Sequence, residues 1–431
     1  MVDMGKLDYD FWVTFCLEAP NPSRNAMTAT SKRPPRFATV ATAPPDSILG
    51  LNEAFAADAN PKKMNLSVGV YKDASGQTPV LRCVKAAEQR LVDGEKTKGY
   101  LPIDGQPDYR DHVRRLVFAD SIDASRIAVV QTPGGTGALR EAAALMNSQL
   151  PAIRVWISTP TWANHQSIFA SENIPYDNYR YLADDKKSFD IAGMLEDLTG
   201  KTKPGDAVLL HACCHNPTGV DPTAQQWNEI AAVLAQRELL PIIDFAYQGF
   251  GNGLDEDTVA VRAITSVCAE AIVCSSFSKN FGLYSERVGA VSVMSADADT
   301  TTAVKSQLKS LVRSNYSNPP RHGAAVVATI LDDSELTAMW HGELTEMRTR
   351  IKALRRQFVD TMKTTGAGHD FGFLLDQNGM FSFSGLNPMQ VDELRNKYSI
   401  YIVGSGRINV AGMNEERMGE LCTAVANVIE N

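Results

Sequence analysis

This 431-residue chain contains no apolar run of the roughly 20 residues that a membrane-crossing helix needs, so a membrane partner is not expected. It also lacks a surplus of positive charge. Its 42 Lys and Arg stand against 50 Asp and Glu, a formal net charge of -8, and no basic stripe is present, which argues against a nucleic-acid partner. Cysteine is sparse: Cys16, Cys83, Cys213, Cys214, Cys268, Cys274 and Cys422 form an odd set at irregular spacing. No disulfide framework follows, and the thiols read as reduced and intracellular. "HACCH" (211–215) holds metal-binding residue types. On a strand, however, His211, Cys213 and His215 would share one face but spread along it, so no metal is expected. There is no internal repeat and no long low-complexity linker.

The first 36 residues lack other things. "MVDMGKLDYDFWVTFCLEAP" has four acidic residues and no basic n-region, which excludes a secretory signal. "NPSRNAMTATSKRPPRFATVATAPP" is basic, rich in Ser and Thr and free of acids, in the manner of part of a mitochondrial presequence, and Met27 is available as an internal start. Residues 1–36 are therefore expected to be a disordered or targeting extension. The compartment expected is the cytoplasm, with the mitochondrial matrix as the alternative.

What is present is ordinary globular material, 44% hydrophobic and 21% charged, enough for two domains. Between about 125 and 295, short apolar runs alternate with helical patterns. "RIAVVQT", "AIRVWIST", "DAVLLHACC", "LLPIIDFA", "EAIVCSSF" and "VGAVSVM" read as strands, while "GTGALREAAALMNSQL" and "TAQQWNEIAAVLAQRE" read as helices. Strands separated by helices imply a mostly parallel sheet covered on both faces. After "SNYSNPPRHGAAVVATIL" come a long charged helix, short strands at "GMFSFSG" and "IYIVGSGRINVAG", and a closing helix. That is a smaller α+β unit, which a helix near 46–56 from the other chain end can complete.

In an open α/β sheet, ligands bind at the carboxyl ends of the strands. Those ends here deliver "QTPGGTG", "NPTG", "DFAYQGF" and "SKNFG" to one rim. Singly, each is unremarkable. Gly135 and Thr136 make a turn into a helix, Asn216 opens a turn, Asp244 can cap a helix, and Lys279 can be a loop charge. Together with Tyr247, Ser276, Ser278 and Arg287 they form the set that a pyridoxal phosphate site requires. An amine binds the aldehyde, and a carboxylate keeps the ring nitrogen protonated. Hydroxyls, backbone N–H groups and a guanidinium hold the phosphate. A flat ring such as Trp162 can stack on the cofactor.

"SFSKNFGLYSERVGAVSV", "HACCHNPTGVDPT", "DFAYQGFGNGLDED", "QTPGGTGALR" and "GRINVAGM" closely resemble the class I aminotransferases of fold type I, the aspartate aminotransferase subgroup, in colinear order from about residue 37 onward. The resemblance implies a large domain (77–343) with a mostly parallel seven-stranded sheet between helices. It also implies a smaller α+β domain from both chain ends: 37–76, with an N-terminal arm, and 344–431. It makes Lys279 the Schiff-base lysine, Asp244 the partner of the ring nitrogen, Tyr247 and Asn216 contacts to the ring oxygen, and Trp162 the stacking ring. Gly135, Thr136, Ser276, Ser278 and Arg287 would bind phosphate, joined by Tyr100 from the neighbouring subunit of a homodimer. Arg407 would clamp the substrate α-carboxylate. Arg313 would cross the interface to the side-chain carboxylate, Gly69 would lie along the substrate, and His165 would support Asp244. The implied reaction is reversible ping-pong transfer of the amino group from L-aspartate to 2-oxoglutarate. A broad-specificity enzyme that also accepts aromatic amino acids is the alternative. Two positions depart from the pattern: Gly99 replaces a bulkier residue, and Ser67 stands where glycine is usual.

Overall fold

The computed structural model describes residues 35–42, 49–119, 121–366 and 368–430. Nearly all of the expected extension over 1–36, including Cys16 and Met27, lies outside the described residues. Among the described residues the strands are, in chain order, β1 (Met64–Asn65), β2 (Ile127–Pro133), β3 (Val155–Thr159), β4 (Tyr176–Arg180), β5 (Ala207–His211), β6 (Leu240–Phe245), β7 (Ala271–Ser276), β8 (Val288–Met294), β9 (Phe381–Phe383), β10 (Ile400–Tyr401) and β11 (Arg407–Asn409). The helices are α1 (Leu49–Ala57), α2 (Arg82–Gly94), α3 (Pro107–Phe118), α4 (Gly134–Gln149), α5 (Asn164–Ser171), α6 (Ile191–Gly200), α7 (Ala224–Gln236), α8 (Val259–Thr265), α9 (Ala298–Asn315), α10 (His322–Asp332), α11 (Ser334–Thr364), α12 (Pro388–Tyr398) and α13 (Met418–Glu430).

The apolar runs of 125–295 become a seven-stranded sheet of order β2-β8-β7-β6-β5-β3-β4. β8 runs antiparallel to both its neighbours, and the remaining pairs are parallel. Side chains alternate across a strand, so a run that is apolar throughout must be covered twice. In β5, Val208 and Leu210 enter one hydrophobic cluster, while Ala207 and Leu209 enter another. Each fully buried aliphatic side chain of this kind contributes about 1.5–3 kcal/mol.

Two strand readings change. β4 ("YDNYR") was not anticipated, because an edge strand with one covered face shows little apolar signal. Only Tyr179 of the five is buried, and its hydroxyl donates to Leu209 O at 2.7 Å. β5 ends at His211 rather than continuing through the cysteines. The chain then folds back, so the rings of His211 and His215 lie 4.2 Å apart instead of spreading along a strand.

The helices carry their own start signals. Thr223 and Gln226 form a reciprocal capping box at α7, and Asp333 accepts from Leu336 N at the start of the 31-residue α11. The chain ends meet where β1 pairs in parallel with β10, Met64 opposite Ile400, and β9 pairs antiparallel with β11. Residues 46–431 gather into one compact unit. The expected boundary at 343/344 falls inside α11. No helix among the described residues is long and apolar enough to cross a membrane.

Candidate active site

After β2 the chain enters α4 through Gly134, at φ +72°. A Cβ on Gly134 would lie 2.5 Å from Arg287 Nη2, and one on Gly135 would lie 2.9 Å from Ser276 Cβ. Only glycine allows this close approach. No side chain caps the start of α4, so its first N–H groups and the positive end of its dipole are available to an anion. Arg287 Nη1 donates to Ser278 Oγ at 3.3 Å and to Tyr284 O at 3.0 Å, and Ser276 Oγ donates to Ser278 Oγ at 3.3 Å. Arg287 reaches this rim because it immediately precedes β8, whose antiparallel direction puts its beginning where the other strands end.

Asp244, in β6, is 8% exposed and is held by His165, whose Nε2 donates to Oδ2 at 3.1 Å. The hydrogen-bond directions behind it are fixed by a backbone amide. Asn216 N–H can only donate, so His211 Nδ1 accepts from it (3.4 Å) and His211 Nε2 carries the proton. That proton goes to Thr161 Oγ1 (3.3 Å), and Thr161 donates in turn to His165 Nδ1 (2.9 Å), which leaves His165 Nε2–H for Asp244. Burial holds His211 down at about 3, so it stays neutral, as this order requires. Burial alone would raise the Asp244 carboxyl, but the hydrogen bond from His165, with the Lys279 charge nearby, pulls it below its ordinary value.

Lys279 follows β7. Its side chain is half-buried, with the amine 4.6 Å from the centre of the Tyr247 ring. Burial lowers its pKa to about 8; the Asp244 charge pulls it up and Arg287 pushes it further down. Burial likewise pushes the Tyr247 hydroxyl far up. From β11, Arg407 donates through Nη1 to Asn216 Oδ1 (3.2 Å) and through Nη2 to Ser67 O (2.6 Å). Its Nε is buried with no hydrogen-bond partner among the described residues. The Phe381 ring lies under the guanidinium at 4.2 Å.

These groups line one cavity of about 220 Å³. Of the residues expected from sequence, it brings together Gly69, Gly135, Thr136, Trp162, Asn216, Asp244, Tyr247, Ser276, Ser278, Lys279, Arg287 and Arg407. Tyr100 and Arg313 are not among them. Tyr100 is 94% exposed, and Arg313, exposed near the end of α9, donates to Ser317 Oγ at 2.6 Å. Ser67 turns its hydroxyl to Asn65 Oδ1 (2.7 Å), away from the cavity.

Sequence reading missed Phe381, Tyr284, Thr161 and His211 as parts of the site. Phe381 packs so close to Gly69 that a Cβ there would lie 2.7 Å from its ring. The Tyr284 hydroxyl accepts from Tyr71 N–H at 2.9 Å, tying the Gly69 segment to the lysine loop. Its place five residues after Lys279 was the available signal. Cys213, Cys214 and Asp257 bring ligand-type atoms within 4.8 Å of one another. Burial pushes both thiols up, Cys214 to about 11, and the Asp257 oxygens already accept from Gly249, Gly251 and Asn252 N–H. These are poor terms for a metal, which needs thiolates.

The family described as Aminotransferase class I and II matches residues 61–425. The aspartate aminotransferase of Haemophilus influenzae is 51% identical over 396 residues, covering 91% of this chain and 100% of that protein. A solved aromatic-amino-acid aminotransferase from Burkholderia pseudomallei, covalently bound to pyridoxal phosphate, superposes with TM-score 0.89 at 45% identity, over 92% of this chain and 100% of that one. The cytoplasmic aspartate aminotransferase of Saccharomyces cerevisiae does so with TM-score 0.89 at 35% identity, over 92% and 98%. A likeness that spans so much of the sequence, on a sheet whose rim holds this cavity, means that the chain belongs to the class I and II aminotransferases.

Proposed function

We propose that this chain is a pyridoxal-phosphate-dependent aspartate aminotransferase, which moves the amino group of L-aspartate to 2-oxoglutarate and yields oxaloacetate and L-glutamate. The observation that carries the reading is the Lys279 amine, lowered to about 8, in one cavity with a charged Asp244 and an uncapped helix start. The residues fit the cofactor. The glycine cradle, Ser276, Ser278 and Arg287 suit a phosphate dianion, and Asp244 suits a protonated ring nitrogen. When bound, the cofactor supplies the electron sink for chemistry at the substrate Cα. Lys279 would hold the aldehyde end of the cofactor, and its neutral amine would be the base that takes the substrate Cα proton. Asp244, held by His165, would keep the ring nitrogen protonated. Arg407, which has a spare Nε, meets the α-carboxylate.

Arg313 and Tyr100 lie outside the chain's own cavity, and both suit a homodimer in which each subunit completes the other's site. There Arg313 grips the side-chain carboxylate of aspartate, and Tyr100 reaches the phosphate. The reading that includes aromatic donors draws on the 45%-identical aromatic-amino-acid aminotransferase and on Gly99, which leaves the approach beside Tyr100 open. Residues 77–343 form the large domain, with 37–76 and 344–431 as the smaller one; the β1–β10 pairing that joins the chain ends supports this division. We assign the protein to the cytoplasm, where unpaired thiols are stable. The six described cysteines are free.

The test is Lys279→Ala. It should reduce amino transfer by on the order of 10⁴-fold or more and abolish borohydride-stable attachment of the cofactor, while the phosphate cradle still binds it. Normal turnover in this variant would remove Lys279 from the reaction.

A further inference from the structure

Glu141 lies outside the cavity. It sits in α4, about 9 Å along the helix from Gly135, and is 1% exposed. Burial raises its carboxyl pKa. Oε1 accepts from Asn315 Nδ2 at 2.8 Å, and Oε2 is buried with no partner among the described residues. As a stabilising device this is a poor one. A buried carboxylate with an unpaired oxygen is less favourable than an apolar side chain of the same size. What it holds is more informative. Asn315 is the last residue of α9, two positions after Arg313. The turn beyond it is fastened twice more: Tyr316 Oη donates to Gln131 O (3.2 Å), and Asn318 Nδ2 donates to Leu101 O (3.3 Å), beside Tyr100. Arg313 itself donates into this turn, at Ser317 Oγ. Of these fastenings only Glu141 comes from the helix whose first turn forms the anion cradle.

We propose that Glu141 is a positioning residue for dicarboxylate selectivity: by holding Asn315 it sets the direction in which Arg313 leaves the protomer. The proposal rests on the reading of Arg313 as the group that grips the substrate's side-chain carboxylate. Because one helix carries both the cradle and Glu141, the spacing between the bound phosphate and the end of α9 is fixed through a rigid element.

The experiment measures holoenzyme half-reactions with L-aspartate and L-tyrosine, together with the Kd of succinate, for four variants. Glu141→Leu, which removes the acceptor, should lower the aspartate-to-tyrosine ratio of kcat/KM by about tenfold and weaken succinate by a similar factor, the scale for loosening a charged contact. Tyrosine kcat/KM should stay within about twofold by the same reasoning, since tyrosine has no side-chain carboxylate. Asn315→Ala removes the donor from an exposed position and should reproduce the change without touching the core. Glu141→Gln keeps an acceptor oxygen and should retain the ratio. Arg313→Ala separates the two claims. If it leaves the ratio unchanged, the reading of Arg313 falls. If it lowers the ratio while Asn315→Ala and Glu141→Leu do not, or if those two slow both donors equally, the proposal for Glu141 is overturned. Equal loss in Glu141→Gln and Glu141→Leu would also overturn it.

Discussion

Three neighbours set the charge of Lys279: the apolar walls that bury it, Asp244 and Arg287. With a pKa of about 8, roughly a tenth of the amine is neutral at pH 7, against about one part in 2,500 for an ordinary lysine. Only the neutral amine attacks an aldehyde. The rate at which the apoprotein captures pyridoxal phosphate, followed by absorbance in stopped flow, should therefore rise with pH about a midpoint near 8. A midpoint above 10 would mean that burial does not tune this group. The linked stability has a definite sign. The folded pKa lies below the unfolded value, so the unfolded chain binds more protons between about 8 and 10.4, and apoprotein stability should rise with pH across that window. Lys279 and Asp244 were legible because a charged residue directly after or late in an apolar run is conspicuous. Thr161 and His211 were not, since their role comes from a chain of hydrogen bonds between separate loops that no spacing encodes. Phe381 looked like any alternating strand residue; its contacts with Gly69 and the Arg407 guanidinium reveal its place.

Helix α2 starts at Arg82 with no cap of its own, since Leu81 offers no side-chain acceptor. Glu343, in α11, supplies it from afar: its carboxylate accepts from Arg82 N at 2.6 Å and from Cys83 N at 3.0 Å. Burial works to raise the Glu343 pKa, but those hydrogen bonds outweigh it and hold the pKa below the ordinary value. Such a group adds stability above its unfolded pKa of about 4.3, and the contribution is lost as pH falls through the folded value. Glu343→Gln should cost about 2 kcal/mol at pH 7 in denaturant unfolding, and the gap to the parent should narrow below about pH 4. A pH-independent gap would show that charge is not what caps α2. The long α11 was legible from its charged periodic pattern, and the buried strands from their apolar runs. The edge strand β4 was not, because its polar residues face solvent, and α12, with its Asn387 capping box, escaped notice between short strands.

At the scale of the whole molecule, the cavity holds a lysine, a carboxylate and the Arg407 guanidinium, while Tyr100 and Arg313 lie outside it. The motif likeness implies that a second copy would bring these two residues to the site, which neither composition nor periodicity could suggest. If two subunits share each site, mixing Tyr100→Ala with Lys279→Ala protein should produce hybrid dimers with one intact site and restore about a quarter of parental activity at equal amounts, by closed two-fold symmetry. Proven exchange without recovery would put both residues in one subunit's own site. The most direct test of the account is kcat/KM of the holoenzyme across L-aspartate, L-glutamate, L-tyrosine and L-phenylalanine, with the matching 2-oxo acid acceptor. A guanidinium pairing a buried carboxylate is worth about 2–5 kcal/mol. The account therefore predicts that aspartate and glutamate exceed both aromatic donors by about tenfold or more, at ~1.4 kcal/mol per decade. Equal or faster transfer from tyrosine than from aspartate would contradict it.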